Sequence, residues 1–213
     1  MKAVEIARWF YKNNIQVKAN SRSGNIVVQK LCYYSQAMYM AVYNKPLFEE
    51  KILAWENGPV INEVYTAYRW YNYIIGIPND VKMPEKVEHI LKVVNSVYGV
   101  KTPEELIEST HAEMPWKQYE NVAKDRNNNP EIDKATINNY YKDLKQIYEA
   151  NKDNNFEDEG LVICRGCNFS YMKSNIKNIN DYKLEIKEFV KKQVDKKSFN
   201  IFIDKNGELE IYD

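Results

Sequence analysis

Residues 29–65, QKLCYYSQAMYMAVYNKPLFEEKILAWENGPVINEVY, constrain the fold more than any other part of this chain. Val27, Leu31, Tyr34, Met38 and Val42 recur at helical spacing, flanked by Cys32, Ala37 and Ala41. A helix that is apolar over so wide an arc is covered on several sides, so residues 26–43 are expected to form the central core helix. Asn44-Lys45-Pro46 ends it, because proline lacks an N–H and clashes with the preceding turn. Residues 52–55 have short β character. Gly58-Pro59 reads as a turn, with Pro59 suited to the first position of a helix over residues 60–71. In that helix Val64, Tyr65 and Tyr68 are expected to face inward.

Helical spacing also marks residues 3–11, 85–97 and 134–150, the last through Ile137, Tyr140, Tyr141, Leu144, Ile147 and Tyr148. Thr102-Pro103-Glu104-Glu105 is a helix start, with Thr102 as cap and Glu105 three residues on. Met114-Pro115 breaks that helix, and 116–122 resumes it. Beyond residue 150 the composition changes. Residues 151–160 are polar and acidic, as in a linker. Residues 161–169 look strand-like, and 181–194 like a basic amphipathic helix. Residues 198–203 and 209–212 alternate as strands around Asn206-Gly207, a hairpin turn. The expected fold class is therefore mainly α: a helical domain over 1–150 with a short β element, and a small α/β extension over 151–213.

The 30 basic and 30 acidic residues leave no net charge, which argues against a general polyanion binder. The first 45 residues are locally basic, yet nothing in them resembles a helix-turn-helix reading head. A nucleic-acid partner is not indicated, and no apolar stretch is long enough to span a bilayer. The amino-terminal segment carries charges where a signal peptide would be apolar. Cys32, Cys164 and Cys167 do not form a disulfide-scaffold pattern. These features lead us to expect a cytoplasmic protein of bacteria or of a phage-infected host.

Several short elements occur in a fixed order: Gln29-Lys30-Leu31, Tyr33-Tyr34, Gln36-Ala37, Pro46-Leu47-Phe48, Ala54-Trp55, Gly58-Pro59-Val60 and Val64-Tyr65. A later block, Thr110-His111-Ala112-Glu113-Met114-Pro115-Trp116, follows at a fitting distance. In this combination the chain resembles the Panacea domain, the SocA-like antitoxin or phage-associated GepA-like family, over about residues 1–150. The resemblance implies a mostly helical domain that neutralises a toxin by direct binding, in the SocA branch by delivery to a protease. It also implies a protein partner, either a cognate toxin or, for a phage-encoded inhibitor or adaptor, a host defence protein. Asn57 stands where family members commonly have Tyr or His. The segment from Asn151 onward has no counterpart in the shared domain.

Catalytic and metal chemistry find little support. Cys164-Arg165-Gly166-Cys167 has zinc or redox spacing, but a structural zinc site takes four ligands. Cys32, His89 and His111 are the remaining Cys and His side chains, and Cys32 and His111 belong to the helical domain. His111 and Glu113 have the chemistry of an acid–base pair but lack an accompanying nucleophile. His111 is expected to end a helix and Trp116 to pack. Trp55 is expected in the core, and Gly58 and Pro59 to shape a turn. No phosphate loop, dinucleotide fingerprint or carboxylate cluster is present, so neither cofactor nor metal is expected. A non-enzymatic binding protein is the resulting expectation, with Gln29, Lys30, Leu31, Tyr34, Trp55, Gly58, Pro59, His111 and Trp116 as mainly structural motif residues. Trp70, Tyr71 and Tyr73 are the candidate partner-binding aromatics.

Overall fold

The structure, a computed structural model, describes residues 1–18, 21–69, 82–124, 129–154, 156–164, 167–192 and 198–212. Their contacts cluster into two units, Met1–Lys152 and Asp153–Asp213. The first is helical and the second is a small sheet with one helix, so the described chain is mainly α with a minor β part.

The first unit comprises α1 (Ala3–Asn13), α2 (Ile15–Lys18), α3 (Arg22–Tyr43), β1 (Leu53–Trp55), β2 (Gly58–Val60), α4 (Asn62–Arg69), α5 (Glu85–Tyr98), α6 (Pro103–Ala112), α7 (Met114–Lys117), α8 (Glu120–Ala123), α9 (Lys134–Tyr140) and α10 (Leu144–Asn151). Helix α3 is the hub, packing against α1, α2, α4, α5, α6, α9, α10 and β2. Every residue from Val27 to Met40 is buried, as a helix apolar on all sides requires. The Ser21 side chain caps its start by accepting from the Gly24 N–H at 3.0 Å. Asn44 closes it in the left-handed conformation, with φ of 53°.

Helix α3 begins four residues before the expected Ile26, because Ser21 is the cap. Gly24 fits the first turn through close approach: a Cβ there would lie 2.2 Å from the Tyr68 hydroxyl and 2.7 Å from the Gln16 carbonyl. Gly58-Pro59 is not a turn leading into a helix. Both residues belong to β2, which pairs antiparallel with β1 in the register Leu53↔Val60, Ala54↔Pro59 and Trp55↔Gly58. Glu56 and Asn57 make the two-residue connection, and α4 starts only at Asn62. Residues 134–150 form two helices rather than one, and the break sets Tyr141 in the core at 6% exposure.

The second unit has β3 (Glu159–Cys164), β4 (Cys167–Met172), α11 (Lys183–Lys191), β5 (Ser198–Ile203) and β6 (Leu209–Tyr212), in the sheet order β3-β4-β5-β6. The single strand expected at 161–169 is a hairpin: β3 and β4 are antiparallel, and the chain reverses between Cys164 and Cys167. β4 and β5 are parallel, so a crossover must join them, and α11 lies in it. Phe169 and Phe199 stack at 5.4 Å, and Phe189 of α11 meets both edge-on. Val162, Ile186, Val190 and Ile201 complete this core. The expected hairpin at Asn206-Gly207 is present, with the Asp204 carboxylate accepting from the Asn206 and Glu208 N–H groups. No helix of the described residues is long and apolar enough to cross a membrane.

Candidate functional site

Polar side chains inside a fully buried helix need partners. Gln29, Lys30, Ser35 and Gln36 are at most 2% exposed. Ser35 donates back to the Leu31 carbonyl at 2.7 Å. The other three reach out of α3 to main-chain groups of irregular or extended segments. Gln36 accepts from the Leu47 and Phe48 N–H groups at 2.8 and 3.1 Å and donates to the Phe48 carbonyl at 3.1 Å. Gln29 accepts from the Ile61 N–H at 2.8 Å. Lys30 Nζ donates to the carbonyls of Asn57 at 2.5 Å and Pro59 at 3.2 Å. These side chains clamp the Pro46–Phe48 segment and the β1–β2 hairpin onto the hub helix.

Gly58 sits inside the clamp with φ of +96°, a conformation that disfavours side chains. A Cβ there would lie 2.5 Å from Lys30 Nζ and 2.7 Å from Thr110 Oγ1. Burial pulls the Lys30 amine down to about 7, and the negative charge of Glu113 works against that.

The second motif block packs beside the clamp. His111 and Trp116 stack at 3.8 Å, and the Glu56 main chain hydrogen-bonds the imidazole. Burial, with Lys30 adding, lowers the His111 pKa. Trp116 is buried and its indole N–H donates to the Trp55 carbonyl at 2.9 Å. Glu113 points elsewhere: Tyr34 donates to its Oε1 at 3.0 Å and Tyr141 to its Oε2. Burial raises the Glu113 pKa against the pull of those two hydrogen bonds. Tyr34 stacks on Tyr98 at 3.9 Å, and Tyr33 contacts both Tyr34 and Tyr141. His111 and Glu113 thus engage different partners, and their side chains do not assemble into an acid–base pair.

A cavity of about 700 Å³ opens on this frame. Ser21, Arg22, Asn25, Ile26, Gln29 and Lys30 of α3 and its cap form one wall. Trp55, Glu56, Asn57 and Val60 of the hairpin, and Tyr65, Tyr68 and Arg69 of α4, form others. Trp55 is only half-buried and packs against Tyr65 at 5.0 Å, so the expected core position is a cavity wall instead. Its indole N–H is buried without an acceptor among the described residues. Arg69 lies over the Tyr65 ring at 5.6 Å. Two exposed guanidinium residues, Arg22 and Arg69, flank this aromatic pair, with Glu56 the acidic member of the lining. The arrangement suits an anchor that is apolar in part and carries an acidic group.

Of the motif residues, Gln29, Lys30 and Trp55 line the cavity, while Leu31, Tyr34 and Trp116 are buried. Trp70, Tyr71 and Tyr73 lie outside the described residues. The roles of Tyr65 and Arg69 are not apparent in the sequence. A polar Gln-Lys pair in the middle of a helix apolar on all sides is the signal that something is held there.

Residues 28–117 match the family model described as antitoxin SocA-like, Panacea domain. The match spans both motif blocks and lies within the first 150 residues. No curated protein and no solved structure gives a match.

Proposed function

We propose, from the match of residues 28–117 to the SocA-like antitoxin family, that this chain neutralises a toxin protein by direct, non-catalytic binding. The family match carries the reading, since the family implies a protein partner of this kind. The contact surface in this proposal is the cavity beside Trp55. It is built from elements within or adjoining the matched segment and combines the features of a binding anchor point. An aromatic pair supplies apolar contact area, and Arg22 and Arg69 favour a carboxylate.

The test is co-expression with the product of the neighbouring gene. That product should arrest growth alone, and this chain should restore growth and co-purify with it. A harmless neighbour, or one that never co-purifies, would count against the antitoxin reading. Arg22→Glu with Arg69→Glu should abolish rescue while the chain still unfolds cooperatively, with at most a small drop in Tm from the lost Arg69–Tyr65 contact. Full rescue by that double variant would leave an antitoxin but remove the cavity as its contact surface.

A further inference from the structure

Cys164 and Cys167 are not merely close in sequence. They are the last register pair of the β3–β4 hairpin, directly opposite one another. Directly opposite residues of an antiparallel pair have Cα atoms about 4.5–5.5 Å apart and side chains on one face. That separation falls inside the range a disulfide spans without backbone movement. The face is also defined. Val162↔Phe169 is the pair two residues along, so both cysteines share the buried side with Val162 and Phe169. Cys167 is buried at 2% exposure, whereas Cys164, at the end of its strand, is half-buried. The less buried residue, Cys164, suits the attacking role and the buried Cys167 opposite it the resolving role.

We propose that Cys164 and Cys167 form a reversible dithiol–disulfide site whose co-reactant is a low-molecular-weight disulfide of the glutathione class. The Cys164 thiolate attacks one sulfur of the reagent, forming a mixed disulfide and releasing one reagent thiolate. The Cys167 thiolate then attacks the Cys164 sulfur and displaces the second. The protein loses two protons and two electrons, and the reagent disulfide is reduced to two thiols. The product joins β3 and β4 covalently at their last register pair. Zinc is the competing use of this spacing. A four-ligand site needs two further ligands, and among the described residues no group of three or more His, Cys, Asp or Glu could hold a metal.

The full-length protein is equilibrated in glutathione buffers from fully reduced to fully oxidised, quenched with acid, alkylated and analysed by intact mass and peptide mapping. The expected result is loss of two hydrogens in a single step. Cys164 and Cys167 are protected together, while buried Cys32 remains a thiol that alkylates on unfolding. In Cys167→Ser the intramolecular bond cannot form, and a stable glutathione adduct should accumulate on Cys164. Three results in the wild-type chain overturn the proposal. They are persistence of the dithiol in fully oxidised buffer, a lasting mixed disulfide, and stoichiometric zinc retained by the purified protein with both thiols protected. None of these readouts depends on the antitoxin reading.

Discussion

Lys30 offers the sharpest test of the clamp. Its amine is buried, and burial lowers its pKa to about 7 in the folded chain. The unfolded chain holds the same proton up to the ordinary lysine value of 10.5. Between those values the unfolded state binds more protons, so stability rises with pH. Raising the pH from about 7 to about 8.5 should therefore add about 1.5 kcal/mol. The window closes from above. Cys32, Tyr34 and Tyr141 have raised folded values, so their contributions fall once the unfolded thiol and phenols ionise. Denaturant unfolding at a series of pH values checks this, followed by tryptophan emission. All four tryptophans, Trp9, Trp55, Trp70 and Trp116, precede residue 153, so the signal reports the first unit. Lys30→Met should lose the rise. The Lys30 Cε resonance of the native protein should titrate near neutrality. Parallel pH profiles for wild type and variant, with an unmoved resonance, would refute the argument. The two carbonyl hydrogen bonds and Glu113 would then outweigh burial and keep the amine charged.

Two further substitutions test the rest of the frame. Gln36→Leu leaves the Leu47 N–H, the Phe48 N–H and the Phe48 carbonyl without their buried partner, and should cost about 2–4 kcal/mol in denaturant unfolding. Gly58→Ala forces a side chain onto positive φ and into Lys30 Nζ. It should cost about 2–4 kcal/mol, visible as a lowered Tm, whereas Gly207→Ala, with open space around its Cβ, should cost less.

Local chemistry made the hub helix, the helix start at Thr102 and the last hairpin legible in the sequence. Periodicity placed the hub helix, Thr102 and Glu105 form the expected capping box, and Asn206-Gly207 turns where its residue types predict. Long-range polar contacts were not legible. Gln36 and Lys30 bond main-chain groups 11 to 29 residues away, and periodicity carries no information about such partners. Glu113 reads locally as a neighbour of His111, yet tyrosines 79 and 28 residues distant take up its two oxygens. Gly58-Pro59 misleads for a similar reason. The dipeptide is a strong local turn signal, but the bonds from Lys30 hold the Asn57 and Pro59 carbonyls in the β1–β2 hairpin. The cavity is built from α3, the hairpin and α4, and no single segment announces it.

The clamp changes how the family motif should be interpreted. Lys30 grips the Asn57 carbonyl, a main-chain atom present whatever residue occupies that position. The clamp therefore does not depend on which side chain occupies position 57. Gln29 likewise holds the Ile61 N–H, and Gln36 holds only main-chain groups. A frame fixed through backbone atoms permits the side chains around it to change without loss of the fold. Glu56, Asn57, Tyr65 and Arg69 project from framed elements at the cavity and are at least partly exposed. Substitutions there alter what the cavity can grip, while those at Gln29, Lys30, Gln36 and Gly58 alter whether there is a cavity. In this division Gln29, Lys30, Gln36 and Gly58 specify the scaffold, and the exposed side chains at the cavity are free to vary on it.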